Sequence, residues 1–237
     1  MTDQSGILTQ YKAVIFDLDN TLLNFNSGER QAILGALSAC SISIMGIGES
    51  RFLETFETFN SKYWHQSSRL PPGELIARSY QDTFSELGMR AVSCEELSRH
   101  YWHIFNHTGD LEENAYQVLS LLSGKYRLAV LTNGLKSSQS PRMKAAGIEH
   151  FFEAVVVSEA VGYAKPAPQI FHYILRALNL AASDVLYIGD SLKHDYEGAK
   201  QVGIDFCYYN RNRESLPEEV QPAFIAEDLM EIVAIVS

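Results

Sequence analysis

Short, unbroken apolar runs recur along this chain, and most are separated by stretches with helical spacing. Ala13–Phe16, Leu128–Leu131, Val155–Val157, Val185–Ile188 and Phe206–Tyr208 are the clearest of these runs. Their length and lack of polar alternation predict strands buried on both faces. Helical patterns between the later runs predict an α/β fold, a parallel sheet with helices on both faces. The first interval breaks the rhythm. From about Asn24 to Asp110 no strand pattern occurs, and helical stretches fall near Gly28–Ser43, Ser50–Ser67, Pro72–Leu87 and Cys94–Asn106. Pro71-Pro72-Gly73 and Gly88 punctuate them. Residues 24–110 are therefore expected to form a separate all-helical insertion, and 1–23 with 111–237 the core. Asp228–Val236 has the pattern of a short amphipathic helix packed on that core.

Composition narrows the field. The chain has 237 residues and 46% hydrophobic content, enough for one sizeable core plus an inserted subdomain. A net charge of −10 disfavours binding to nucleic acid or to an acidic membrane. An anionic substrate would need a local attraction: a metal, a lysine or helix N-termini. Cys40, Cys94 and Cys207 form no CxxC pair and suit free thiols in a reducing compartment. Met1–Gln10 lacks the apolar segment of a signal peptide, and no run is long enough to span a bilayer. The expectation is a cytoplasmic protein, monomeric or homodimeric.

Polar residues gather where the apolar runs end. Asp17-Leu18-Asp19-Asn20-Thr21 follows the first run. Side chains two apart on extended backbone project to the same side, so both carboxylates are expected to leave the strand together, with Thr21 close behind. Such a pair is costly unless a cation or a shared proton relieves it. Leu131-Thr132-Asn133-Gly134 offers a hydroxyl, an amide and a glycine that tolerates close backbone approach. That set suits a phosphate cradle, although an ordinary turn has the same composition. Lys165 precedes Pro166, which can open a helix, so the ammonium is expected beside a helix start; a solvated surface charge is the alternative. Gly189-Asp190-Ser191-Leu192-Lys193-His194-Asp195 follows the Val185–Ile188 run. Carboxylates without thiolates or repeated histidines suit a hard cation such as Mg²⁺. In isolation a helix cap is the better reading of either acid. Together the four motifs fall at the C-terminal edge of the predicted sheet, where open α/β sheets bind ligands.

In this order the residues resemble the haloacid dehalogenase superfamily, specifically its phosphatase branch. Asp17-x-Asp19-x-Thr21 is similar to the first motif, Thr132 to the second, Lys165 to the third, and Gly189-Asp190 with Asp195 to the fourth. The helical insertion resembles a type 1 cap on a Rossmann-like core. Leu18–Leu22, Leu131–Gly134 and Lys165–Pro168 resemble two subgroups in particular, the pyrimidine 5′-nucleotidases and the N-acylneuraminate-9-phosphatases. The resemblance implies hydrolysis of a small phosphate monoester, a nucleoside monophosphate or a sugar or sialic acid phosphate, with the cap closing over it. It implies Asp17 as nucleophile and Asp19 as acid and then base, free to keep a proton. It implies Thr132, Asn133 and Lys165 as phosphate-binding groups. Mg²⁺ would be held by Asp17, the main-chain carbonyl of Asp19 and Asp190, with Thr21, Gly134, Ser191 and Asp195 in support. A phosphomutase on the same fold, or a non-catalytic phosphometabolite-binding protein, is the alternative.

Other features read as structural. His100, His103 and His107 lie among core-type neighbours and are expected to pack rather than to bind zinc. Phe52, Phe56, Phe59, Tyr63 and Trp64 recur at near-helical spacing and predict a core for the insertion. Arg51, Lys62 and Arg69 are candidates to meet a leaving group, and Asn24 and Phe25 are equally linker or substrate contacts. No GxxxxGK[ST] occurs, and no GxGxxG follows the first strand; this argues against a P-loop enzyme and a dinucleotide oxidoreductase.

Overall fold

The structure, a computed structural model, describes residues 11–66, 70–90 and 93–237. Expectations that fell on Met1–Gln10, Ser67 and Arg69 lie outside the described residues. Two compact units are present: Asn26–Thr108, and Gly109–Ser237 together with the N-terminal segment through Phe25.

The chain enters through β1 (Ala13–Phe16) and passes into the helical unit, α1 (Phe25–Ala39), α2 (Glu49–Gln66), α3 (Pro72–Glu86) and α4 (Cys94–Phe105). It continues as α5 (Ala115–Leu122), β2 (Arg127–Thr132), α6 (Lys136–Ala145), β3 (Ala154–Val157) and α7 (Ser158–Val161). After these come α8 (Pro168–Leu178), β4 (Val185–Gly189), α9 (Glu197–Val202), β5 (Asp205–Tyr209), β6 (Phe224–Ala226) and α10 (Glu231–Val236). The strands form one parallel sheet in the order β3-β2-β1-β4-β5-β6. Growth runs outward from β1 through β2 to β3, then restarts on the other side with β4. The resulting switch point lies between β1 and β4, the crevice where sheets of this order accept ligands.

Strand periodicity explains the unbroken apolar runs. Val14, Phe16, Leu128, Val130, Leu186 and Ile188 pack on one face with Val118, Leu119 and Leu122 of α5 and Ile232 of α10. Their neighbours Ala13, Ile15, Ala129, Leu131, Val185 and Tyr187 pack on the other with Ile170, Phe171 and Ile174 of α8 and Ala199 of α9. Each fully buried Val, Leu, Ile or Phe contributes about 1.5–3 kcal/mol, so a strand with two apolar faces is held in register from both sides.

The structure departs from the pattern in three places. β6 is a sixth strand that the pattern misses. It has three residues, and Ile225 at its middle is 48% exposed, so no apolar run marks it. α8 starts at Pro168, not at Pro166. Ala167 precedes a proline, which disfavours helical backbone, and it is extended at φ −58°, ψ 128°. α10 starts at Glu231 rather than Asp228, whose carboxylate accepts hydrogen bonds from the Met230 N–H at 2.7 Å and the Asn114 amide at 3.1 Å.

In the helical unit the aromatic stripe of α2 divides. Phe52 and Phe56 are fully buried and meet Phe84, Tyr80 and Tyr101, whereas Trp64 is 39% exposed. Arg51 and Lys62 are exposed. Among the described residues, no helix is long and apolar enough to cross a membrane.

Candidate active site

Residues from four separated segments meet at the switch point. Asp17 leaves the end of β1 and is 7% exposed. Lys165, in the loop between α7 and α8, is 4% exposed, so the solvated-charge alternative does not hold. Its ammonium donates to Asp17 Oδ1 and Asp195 Oδ1, each at 2.7 Å. The Tyr187 hydroxyl at 3.0 Å and the Leu131 carbonyl at 3.1 Å complete its surroundings. Tyr187 OH in turn donates to Asp195 Oδ1 at 2.6 Å. Carboxylate oxygens of Asp17, Asp190 and Asp195 all lie within 4.8 Å of one another.

Local structure explains how the acids get there. After Gly189 the chain makes a wide π-helical turn, Leu192–Tyr196, which swings Asp195 back toward the strand end. Ser191 N–H donates to Asp195 Oδ2 at 3.0 Å, and Ser191 Oγ accepts from the His194 N–H at 3.1 Å. A Cβ at position 189 would stand 2.4 Å from Asp195 Oδ2, so glycine is required there by space. Asn133 clasps the lysine segment at both ends: its amide donates to the Lys165 carbonyl at 2.9 Å, and its oxygen accepts from the Lys165 N–H at 2.8 Å. Both polar ends of the expected phosphate-binding amide are thus engaged by backbone.

Asp19 takes partners of its own. The strand ends at Phe16, and the backbone turns so that the Asp19 N–H and C=O region bridges to Leu23 instead. Its Oδ2 accepts from Gln139 Nε2 at 2.7 Å, and its Oδ1 pairs with an Arg142 guanidinium nitrogen at 2.5 Å. Gln139 also donates to Thr132 Oγ1 at 3.0 Å, which links the end of β2 to the Asp19 loop. Gly134 makes room for this: a Cβ there would lie 2.3 Å from Gln139 Nε2. The Asp19 carboxylate therefore has a donor on each oxygen. Thr21 is fully buried, and its hydroxyl has no hydrogen-bond partner among the described residues.

Three residues of this site escape the sequence reading. Gln139 and Arg142 lie on α6, 2% and 1% exposed, and form a buried polar face on a helix with no apolar stripe to announce it. Tyr187 hides inside an apolar run. The one available signal was its hydroxyl, which a fully buried tyrosine must satisfy.

The electrostatics show an imbalance. Burial pushes the Asp17 carboxyl well above the usual range; Lys165 opposes this, while the charges of Asp195 and Asp190 add to it. Burial, aided by Asp195, pushes Asp190 up to about 6. Burial works against the Lys165 ammonium, but Asp17 and Asp195 together raise its pKa. Three carboxylates thus face one ammonium in a region that water barely reaches. The donor set is all oxygen, as a hard divalent cation prefers, and a double positive charge would neutralise the excess. These residues fit Mg²⁺. Asp195 already accepts from Lys165, Tyr187 and Ser191, so Asp17 and Asp190 are the carboxylates with capacity to spare.

A doubly wound parallel sheet with acids and a buried lysine at its switch point defines a Rossmann-like α/β enzyme core. The chain belongs to the haloacid dehalogenase-like hydrolases, whose family model matches residues 11–203. The HAD-hydrolase YfnB of Bacillus subtilis (strain 168) is 25% identical over 233 residues, which span 97% of each chain. The crystal structure of YfnB bound to magnesium matches with a TM-score of 0.82 and 26% identity, covering 96% of this chain and 99% of that one. Pyrimidine 5′-nucleotidase PynA of Streptococcus pneumoniae is 26% identical over 218 residues, 90% of each chain. Human N-acylneuraminate-9-phosphatase is 24% identical over 235 residues, 96% of this chain and 94% of that one.

Proposed function

We propose that this hydrolase is a Mg²⁺-dependent phosphomonoesterase acting on a small phosphorylated metabolite. The observation that carries the reading is the convergence of Asp17, Asp190 and Asp195 around the Lys165 ammonium, with a second acid two residues beyond the first. Asp17 is the nucleophile: its carboxylate oxygen bonds to phosphorus as the ester P–O bond breaks. Asp19 gives a proton to the departing alkoxide. It then takes one from the water that attacks the aspartyl phosphate, releasing orthophosphate and restoring Asp17. Lys165 and Thr132 hold the non-bridging oxygens, where positioning and charge neutralisation account for most of the rate. Asn133 fixes the Lys165 segment, while Gln139 and Arg142 position Asp19. Thr21, Gly134, Ser191 and Asp195 give the loops their shape. Mg²⁺ would be held by Asp17, Asp190 and the main-chain carbonyl of Asp19, and supplies positive charge beside the transferred group.

Asp19 favours a phosphate ester over an organohalide, because a halide leaves without needing a proton. The phosphatase names of PynA and the human enzyme support the same choice. Nucleoside monophosphates and acylneuraminate or sugar phosphates are the substrate classes to test. The test is phosphate release from a panel of these esters with Mg²⁺, with EDTA and Asp17→Asn as controls. Release that needs both the metal and Asp17 is the expected result. Absence of release from every ester would overturn the reading.

A further inference from the structure

The helical unit holds a second cluster of metal-ligating side chains. Cys40 follows the last residue of α1, and Glu96 and His100 stand one turn apart on α4, hence on one face. Cys40 Sγ, a Glu96 carboxylate oxygen and a His100 ring nitrogen all lie within 4.8 Å of one another. Cys40 and His100 are half-buried and Glu96 is exposed, so solvent reaches the cluster. Among the described residues, none of these donor atoms is committed to a hydrogen bond or an ion pair. The other two histidines turn elsewhere: the His103 and His107 rings are 4.9 Å apart on an exposed face.

We propose that Cys40, Glu96 and His100 bind a borderline divalent cation of the Zn²⁺ class. One sulfur, one nitrogen and one oxygen make a set that zinc accepts and Mg²⁺ does not favour. Bonds of about 2.3 Å to sulfur and about 2.0 Å to nitrogen put neighbouring tetrahedral ligand atoms roughly 3.5 Å apart, a rotamer adjustment from the present spacing. The ion would sit just past the C-terminus of α1, the end at which the helix dipole favours positive charge. Arg99, whose charge also acts on Cys40, opposes it, and the Glu96 carboxylate offsets that. Three protein ligands leave a fourth position for water or an exogenous ligand. The ion would clip the end of α1 to α4 inside the helical unit, independently of the Asp17 site.

Cobalt distinguishes the two sites. Metal-free full-length protein, first saturated with Mg²⁺, is titrated with Co²⁺ while the thiolate-to-cobalt charge-transfer band is followed in the near ultraviolet. The Asp17 cluster contains no thiol and cannot give that band. The proposal predicts the band at stoichiometric Co²⁺, its loss on adding Zn²⁺, and its absence in Cys40→Ser. Glu96→Gln, at an exposed position that leaves the fold intact, should weaken binding roughly tenfold or more. Cys94→Ser should leave the band unchanged. No band at millimolar Co²⁺, a band that survives Cys40→Ser, or affinity unchanged in Glu96→Gln would overturn the proposal.

Discussion

Replacing Lys165 with methionine removes the one ammonium that faces Asp17 and Asp195 while keeping most of the side-chain volume. The lysine side chain is 2% exposed, and both ion pairs are 2.7 Å long. Breaking a buried pair by removing one partner costs about 3–5 kcal/mol, because the remaining charge stays buried. Both pairs share one ammonium, so the cost is counted once. Against a typical stability of about 5–15 kcal/mol this is a large fraction, and it corresponds to a melting point roughly 10 °C lower in EDTA. The burial of Lys165 predicts a loss of stability as well as of turnover. Adding Mg²⁺ should raise the melting point of the variant more than that of the wild type, because the cation meets uncompensated carboxylates. Phosphate release should fall by about 10²–10³ under saturating Mg²⁺. The assays are thermal melts with EDTA or Mg²⁺, paired with turnover of p-nitrophenyl phosphate. Lys165→Met melting within 2 °C of wild type, as roughly expected of a neutral surface change, and turning over at the wild-type rate would refute the reasoning.

Arg142→Met leaves Asp19 with one donor instead of two; stability should drop by about 1–3 kcal/mol in urea melts. Turnover should fall at least roughly tenfold, with partial recovery in Arg142→Lys; unchanged turnover in the methionine variant would remove Arg142 as a positioning residue. Tyr187→Phe deletes the hydroxyl shared by Asp195 and Lys165 and should cost about 1–3 kcal/mol by the same assay, so an unaltered melt would show that bond to be dispensable. For pH, Asp190 is raised in the folded state to about 6. In EDTA the folded protein therefore holds a proton that the unfolded chain has released, and stability should decline as pH rises from about 4 to 6. Asp190→Asn should flatten that slope, and a wild-type slope of opposite sign would contradict the assignment.

The sheet was legible where one physical rule dominated. β1 and β4 are buried on both faces, so their apolar runs stand out, and the polar residues that end them mark the ligand edge. β6 was not legible, because an edge strand of three residues with a half-exposed centre lacks that constraint. Asp17, Asp190 and Asp195 could be found because they follow the ends of β1 and β4. Gln139 and Arg142 could not: both meet Asp19, and a partner more than a hundred positions away leaves no local pattern. For the same reason the pair Asp17 and Asp19 looked like a unit. The strand stops before either, and each acid has its own donors: Lys165 for Asp17, Gln139 and Arg142 for Asp19.

The central claim is that the Asp17 carboxylate carries phosphorus during turnover. A reaction quenched in acid and reduced with borohydride converts an aspartyl phosphate to homoserine, which peptide mass spectrometry locates. Homoserine at position 17, dependent on substrate and missing from Asp17→Asn, is the predicted result. Steady phosphate release with no homoserine at position 17, or with the label on another acid, would contradict the account.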